Sequence, residues 1–335
     1  MRSLMPAAAL VVTVLSVAVA GCATSPSSSA GGAPAASSSS ASSSTAAQGK
    51  LKSIFFANPL PAYPDWGTAN ACFYAEVKQF GLKGISQGPT GLQINDQFVL
   101  DSISQALAEH YSAMIVVPIT PSEYQPIMQR ARAQGMLVAT LNTGSSTTAQ
   151  NFEIGTSYPA LGQEVAKNIG ARGGQQNLGL VTNGPGGIGA TIFSSLEANL
   201  PSNVHLVATA YDNGDPSKTE DAVAQMLIAH PNINVIYSWE GTAVAGISAA
   251  IKQQNRVGKT AGVVNDLTPQ VIAGINDGTI YGTNRQHFCL MAQDAVKDFV
   301  AVSRGQKVPA LTDTGTTFVT KSNLQQVLAE VKAGQ

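Results

Sequence analysis

The sequence predicts an α/β protein with two doubly wound lobes, each a parallel sheet covered by helices on both faces. Two observations carry this prediction. From Lys52 onward, short and continuously apolar runs alternate with segments of helical periodicity, which is typical of parallel strands buried on both faces. The alternation restarts near residue 152, and the roughly 285 residues that follow the first fifty exceed what one core usually holds.

The first half of the globular region follows the alternation in order. Its predicted strands are 53–57, 84–86, 114–117 and 136–139. Its predicted helices are 69–80, 95–110 and 121–134. Phe98, Ile103 and Leu107 recur at helical spacing in the second of these helices. A Pro-rich loop that contains Trp66 separates the first strand from the first predicted helix.

The second half repeats the pattern. Its predicted strands are 152–154, 178–181, 206–209, 235–237 and 263–264, and the helices that follow them begin near residues 159, 188, 218, 242 and 269. In parallel sheets of this kind, ligands bind beyond the carboxyl ends of the strands. The residues at those ends are polar and aromatic and include no evident catalytic set: 58–66, 118–120, 142–143, 182–183, 211–212, 239–240 and 265–266.

The first 22 residues predict export from the cytoplasm. Arg2 is the only charge before an apolar run of about 14 residues, too short for a bilayer that takes about 20. Small residues followed at once by Cys22 resemble the lipobox of bacterial lipoproteins. That resemblance implies a signal peptide over 1–21, cleavage before Cys22, and lipid on the sulfur and the new amino group. The alternative is an ordinary signal peptide that happens to contain a cysteine.

A linker follows the proposed anchor. Residues 23–49 consist almost entirely of Ser, Ala, Gly, Pro and Thr, with no charge before Lys50. Such a segment cannot bury enough apolar surface to offset its ordering entropy, and its typical reach is about 30 Å. We therefore predict that residues 22–49 are a lipidated cysteine with a flexible tether.

Composition and spacing argue against several classes of function. The net charge is −1 and no basic stripe is visible, so we expect no nucleic-acid partner. The four histidines lack the spacing of metal ligands. We expect that the protein binds no metal and no cofactor and that it is not an enzyme. Residues 183–187 look like a phosphate loop but lack its Lys-Ser/Thr and the dinucleotide-binding spacing. No helix-turn-helix precedes Lys50, which argues against a repressor of the same fold.

The order of these signals over residues 52–325 resembles the sugar-type periplasmic binding proteins of ABC importers, the group that includes ribose-binding protein. The segments that carry the resemblance are Asn58-Pro59, Tyr63-Pro64-Asp65-Trp66, Gly88-Pro89-Thr90, 131–135, Ile154-Gly155-Thr156, Ala229-His230-Pro231, Asp266 with Thr268-Pro269, and Asp277-Gly278 before a strand ending at Gln286. Each segment alone is weak, but their order and spacing are specific.

The resemblance implies two lobes joined by three crossovers, a three-stranded hinge that closes on ligand. Mapped onto this chain, the N-terminal lobe is 50–153 with 286–311, and the C-terminal lobe is 154–285 with 312–335. It also implies a monomer, held at the extracytoplasmic face of the membrane by its lipid, that serves an ABC permease with its ATPase. The alternative is a receptor of the same fold that reports ligand to a signalling partner.

The resemblance also implies a ligand set, carried over position by position. The set is Asp65, Trp66, Asn142, Thr143, Tyr211, Trp239, Glu240, Asp266, Gln286 and His287. Trp66 takes the place of an aromatic that stacks on a sugar ring, with loop packing as the alternative. Two arginines often present in the family are missing, at Asn142-Thr143 and at 190–192. We therefore expect a neutral sugar or polyol first, and an amine or amphipathic small molecule second.

Cys72 and Cys289 are the two cysteines left after Cys22. An even number of cysteines in an exported protein favours a disulfide. The resemblance places both in helices of the N-terminal lobe that should be neighbours, which supports a Cys72–Cys289 bond. Two buried thiols are the alternative.

Overall fold

The computed structural model describes residues 51–142, 147–213 and 215–332. All of them belong to one compact unit, Thr45–Gln335. The signal peptide, Cys22 and the linker lie outside the described residues, and so does Thr143. Within the described residues the strands form two six-stranded sheets, one in each lobe, so the predicted fold class is confirmed.

Lobe 1 contains the sheet with strand order β11-β5-β4-β3-β1-β2. Its strands are β1 (Ser53–Ala57), β2 (Lys83–Gln87), β3 (Ala113–Val116), β4 (Leu137–Leu141), β5 (Phe152–Gly155) and β11 (Leu311–Asp313). Its helices are α1 (Pro64–Gln79), α2 (Asp96–Ala108), α3 (Pro121–Ala133) and α9 (Phe288–Ser303). The strands run parallel, and apolar clusters with α1 and α9 on one face and α2 and α3 on the other bury them.

Lobe 2 contains the sheet with strand order β12-β10-β9-β8-β6-β7. Its strands are β6 (Gln176–Thr182), β7 (Val204–Tyr211), β8 (Val235–Ser238), β9 (Ala261–Asn265), β10 (Ile280–Gln286) and β12 (Thr316–Thr320). Its helices are α4 (Tyr158–Gly170), α5 (Gly187–Ala198), α6 (Pro216–Ala229), α7 (Val244–Gln253), α8 (Pro269–Asp277) and α10 (Leu324–Lys332). The strands pair in parallel, except that β12 runs antiparallel to β10.

The described chain passes between the two sheets three times: between Gly155 and Tyr158, between Gln286 and Phe288, and between Asp313 and Thr316. Hydrogen bonds tie these crossovers together. The Asp313 carboxylate accepts from the backbone of Ser157 on the first crossover, at 3.1 Å. His287 Nε2, on the second crossover, lies 3.2 Å from Thr317 Oγ1 in the strand that follows the third.

Helix α1 begins at Pro64, five residues before its predicted start. Proline is favoured at the first helical position because it has no N–H to leave unpaired and its φ is already helical. Asp65 and Trp66 therefore lie in the first turn of α1 and not in the preceding loop. Their positions are fixed by helical geometry, which matters for the site described below.

A disulfide joins Cys72 of α1 to Cys289 of α9, with the sulfurs 2.01 Å apart. The two helices pack side by side in lobe 1. The bond thus ties the helix that carries Asp65 to the helix that follows the second crossover. Among the described residues, no helix is long and apolar enough to cross a membrane.

Candidate functional site

The loop after β1 is held in place by one buried side chain. Asn58 Nδ2 donates to the Trp66 carbonyl oxygen and to Asn70 Oδ1, both at 3.1 Å, and Asn58 Oδ1 accepts from the Leu60 N–H at 3.0 Å. These bonds draw the loop back onto α1. Tyr63, at the end of the loop, and Asp65, in the first turn of α1, are therefore held in place at the carboxyl edge of sheet 1.

Tyr63 reaches from lobe 1 into lobe 2. Its hydroxyl donates to Asp266 Oδ2 at 3.0 Å, and both residues are only 8% exposed. Asp266 follows β9 with φ 69°, a left-handed conformation that non-glycine residues seldom adopt. Gln286, at the end of β10, donates to the other oxygen of Asp266 at 2.9 Å. The carboxylate of Asp266 thus has one donor on each oxygen.

Asp65 supplies a second buried carboxylate next to Asp266. Its Oδ2 is buried and has no hydrogen-bond partner. Burial and the charge of Asp266 raise the pKa of Asp65, while a hydrogen bond from the Leu267 backbone and the charge of Arg285 oppose the rise. Burial also raises the pKa of Asp266, against the effect of its two donors. Of the four oxygens of the pair, Asp65 Oδ2 is the one without a donor, which a ligand rich in O–H or N–H groups would bring.

Glu240 lies in a second acidic group at the carboxyl edge of sheet 2. Burial, with the nearby charge of Asp212, raises the pKa of Glu240 to about 7, and a backbone hydrogen bond from Asn183 acts against the rise. Asp212 is itself buried and accepts from Thr219 Oγ1 at 2.8 Å. A buried carboxyl group whose pKa is raised towards neutral pH by burial and a neighbouring charge is a candidate functional residue.

Two more buried polar atoms at these strand ends have no partner. Trp239 Nε1, after β8, is an unused donor, and Asn142 Oδ1, after β4, is an unused acceptor. Asn142 has φ 62°, and its backbone lies so close to Gly155 that a side chain there would collide with it. An unpaired buried polar group costs about 1–3 kcal/mol, so such atoms at a ligand-binding edge call for a partner.

The structure does not gather the whole predicted ligand set. Trp66 is 7% exposed and belongs to the core of lobe 1, with its ring centroid 4.8 Å from that of Phe288. This position corresponds to the packing role we considered as the alternative to ligand stacking. Tyr211 ends the edge strand β7 and is 48% exposed, and strands β6 and β8 lie between β7 and the central strand β9 that Asp266 follows. His287 is half-buried on the second crossover, where burial and then Arg285 lower its pKa.

Sequence reasoning missed two residues, Tyr63 and Arg285. Arg285 is 8% exposed, and its charge acts on Asp65. Arg285, from β10, thus brings a cation near Asp65, while residues 142–143 and 190–192 carry no arginine. The sequence does contain one indication of Arg285: it is a charged residue inside a strand that is otherwise buried. Arginine is seldom buried without a partner, so such a position suggests a nearby acidic group or ligand. Tyr63 stood within a quoted motif but carried no signal of its reach across the lobes.

Chemically, the described residues form a binding site. No group of three or more His, Cys, Asp or Glu side chains among them is placed to hold a metal ion. Four buried side-chain atoms of the described residues in the predicted ligand set have no hydrogen-bond partner. Three of them are acceptors: Asp65 Oδ2, Asn142 Oδ1 and Gln286 Oε1. The fourth, Trp239 Nε1, is a donor. Such a surplus of acceptors suits a small polar ligand that donates more hydrogen bonds than it accepts.

Comparisons with known proteins agree with this architecture. Residues 54–307 match the family described as periplasmic binding protein domain. A glucose-galactose binding protein from Geobacillus stearothermophilus has a similar structure, with a TM-score of 0.76 and 20% identity over 82% of this chain and 99% of that one. No curated protein matches the sequence.

Two further solved structures share the fold. One is an ABC transporter solute-binding protein from Burkholderia graminis in complex with D-arabinose, with a TM-score of 0.74 and 24% identity over 82% of this chain and 97% of that one. The other is a sugar-binding protein of a sugar ABC transporter from Bacillus halodurans, with a TM-score of 0.74 and 18% identity over 82% and 98%. At these identities the structures bear on the fold alone.

Proposed function

The chain belongs to the periplasmic binding protein domain family, and from this premise we propose that it is an extracytoplasmic solute-binding lipoprotein. It captures a small neutral sugar or polyol between its lobes and delivers it to an ABC transporter permease. The family is one of binding proteins and not of enzymes, so the function is capture and release without a chemical step.

The observation that carries the proposal is the set of unsatisfied buried atoms at the facing strand ends of both lobes. Asp65 and Asn142 belong to lobe 1, and Trp239 and Gln286 follow or end strands of lobe 2. Ligand hydroxyls would donate to the three acceptor oxygens, and a ligand oxygen would accept from the indole N–H. Similar structures bind D-arabinose or are glucose-galactose binding proteins, which supports the same ligand class here.

Placement outside the membrane rests on the sequence. The signal peptide 1–21 and Cys22 would anchor the protein, and the 23–49 linker would let the lobes reach a membrane-embedded permease. A binding protein gains effective concentration at its permease when it is tethered.

A thermal-shift screen of the ligand-free protein against sugars, polyols and amines tests the function. A ligand that binds only the native state must raise Tm, and by more as its concentration exceeds Kd. We expect pentoses, hexoses or alditols to raise Tm, and calorimetry to show one ligand per chain. Sugars and polyols that leave Tm unchanged at millimolar concentration would refute the ligand class.

An amine is the second candidate ligand class, because the buried carboxylates outnumber the guanidinium that faces them. The charge of Arg285 acts on Asp65, which lies next to Asp266, and Glu240 lies next to Asp212. The screen separates the two classes if each sugar is paired with its amino analogue. Greater stabilisation by the amino compounds throughout the panel would favour the second class.

A further inference from the structure

One contact links the lobes at the centre of the site, and neither the fold nor the proposed function requires it. Tyr63 and Asp266 are 203 residues apart, lie in different lobes and are both buried. Their hydrogen bond can form only when lobe 1 and lobe 2 approach each other. The contact is therefore a candidate for the interaction that stabilises the closed state.

The neighbouring backbone leaves a space shaped for the tyrosine hydroxyl. A Cβ at Gly241 would overlap Tyr63 Oη and would lie 3.0 Å from Asp266 Oδ2. Gly241 has no side chain, so the hydroxyl enters a notch between residue 241 and the carboxylate. Glycine is needed here for close approach and not for backbone conformation.

The carboxylate at the base of the notch is held firmly. Gln286 donates to Asp266 Oδ1 and Tyr63 donates to Oδ2, while the Asp266 N–H donates to the Asn284 carbonyl oxygen at 3.0 Å. Each oxygen of Asp266 already has a donor in the closed protein, whereas Asp65 Oδ2 has none. Asp65 is thus the carboxylate with an oxygen left for a ligand.

We propose that Tyr63 is an interlobe latch, a positioning residue that stabilises the closed state. On closure its hydroxyl enters the Gly241 notch and donates a hydrogen bond to Asp266. Asp266 therefore affects ligand affinity through its bond to Tyr63. Because this rests on the proposed capture of a ligand between the lobes, its first test uses the protein without ligand.

Small-angle X-ray scattering on ligand-free wild type and Tyr63→Phe gives that test. Phenylalanine keeps the ring and removes the hydroxyl, so the variant should fold normally and shift towards a larger radius of gyration. Tyr74→Phe is the matched control, since the Tyr74 hydroxyl accepts from the Ser86 N–H within lobe 1, and it should scatter like wild type. A radius of gyration for Tyr63→Phe equal to that of wild type would overturn the latch.

Gly241→Ala supplies a second test with a distinctive sign. Its methyl group would collide with the hydroxyl, so the variant should be more open than wild type. Adding Tyr63→Phe removes the collision, and the double variant should be more compact than Gly241→Ala alone. If the second substitution opens the protein further, the hydroxyl does not enter the notch and the proposal fails.

Binding kinetics separate a latch from general stabilisation. With D-arabinose as the probe, Tyr63→Phe should raise the dissociation rate by about fivefold to tenfold, the worth of one buried hydrogen bond, and should not lower the association rate, because the open protein is the one that ligand enters. Tyr63→Phe should lower the affinity no further when it is added to Asp266→Ala, which has no oxygen left to accept from the hydroxyl. Additive losses would overturn the action through Tyr63. If wild type binds no sugar or polyol, the proposed function fails while scattering still decides the latch.

Discussion

The indole nitrogen of Trp239 lies 2.5 Å from the position that a Cβ at Gly189 would take, so the N-terminal turn of α5 and the residue after β8 fit together only without a side chain at 189. Thr182 Oγ1 lies 2.9 Å from the same position. The indole N–H is buried and unpartnered, and the missing side chain lets it reach the strand ends where ligand would bind.

We expect Gly189→Ala to displace Trp239 and lower ligand affinity by about tenfold or more, the cost of misplacing one buried donor. Calorimetry with the best ligand of the screen measures the effect. Gly184→Ala, in the loop before α5, is the matched control because a Cβ there meets no atom within 4 Å. Equal affinities for the two variants would show that the position of Trp239 does not matter for binding.

Asp65→Asn should separate binding from stability. The substitution removes a buried charge whose pKa is raised by burial and by Asp266, so the ligand-free protein should melt at a higher temperature at pH 8. It also replaces an acceptor oxygen, and ligand affinity should fall by about a hundredfold if two charge-assisted hydrogen bonds weaken.

Asp101→Asn is the control for that variant, because Asp101 lies on the exposed face of α2 and accepts from Gln97. Neither its Tm nor its affinity should change by a comparable amount. An Asp65→Asn protein that keeps full affinity would remove Asp65 from the ligand site.

The alternation of apolar runs and helical periodicity was enough to predict the fold. Each buried parallel strand and each covering helix produces a recognisable pattern within a short stretch of sequence. The apolar run 53–57 coincides with β1, and buried polar residues such as Asp266 follow the strand ends as predicted. The predicted start of α1 at residue 69 is wrong, because Pro64 begins the helix and proline is favoured at the first helical position.

The site was less predictable, since it depends on contacts distant in sequence. Trp66 suits both a ligand face and a core, and only its packing on Phe288 tells them apart. The hydrogen bond from Tyr63 to Asp266 requires the space that Gly241 leaves. These three residues are far apart in sequence, and helical or strand periodicity does not predict that they meet. Arg285 lies within β10 and not after its carboxyl end, so the rule that ligands bind beyond strand ends does not single it out.

Breaking the Cys72–Cys289 bond should destabilise the protein without removing its site. The bond closes a loop with a sequence separation of 217, and loss of such a crosslink costs about 2–5 kcal/mol. We expect the Cys72→Ser/Cys289→Ser protein to melt earlier than wild type, and intact mass under non-reducing conditions to show wild type lighter by two hydrogen atoms than after reduction. Two thiols that react with a labelling reagent in native wild type would contradict the bond.

Replacing Cys22 should change location and nothing else. Without the thiol no lipid can be attached, so Cys22→Ser should leave the membrane fraction and appear in the soluble fraction of the cell envelope or the medium. Cys22 and the lobes are separated by the 23–49 linker, so ligand affinity should stay that of wild type. A fall in affinity would show that the linker is not a passive tether, and retention in the membrane would refute lipidation at Cys22.

The stability of the ligand-free protein should fall as pH rises through neutrality. Burial, with Asp212, raises the pKa of Glu240 from 4.5 to about 7, so the folded protein holds a proton that the unfolded chain releases. The associated stability is therefore complete below the unfolded pKa and is lost as pH passes the folded pKa, and the raised pKa values of Asp65 and Asp266 act in the same direction. Melting curves between about pH 5 and 8 should show a falling Tm, with a shallower fall for Glu240→Gln, which cannot ionise.

Glu109→Gln is the control for this prediction, because Glu109 is exposed at the end of α2, where it accepts from Gln105. Its Tm should fall with pH as steeply as that of wild type. The same steep fall in Glu240→Gln would show that Glu240 does not titrate in this range.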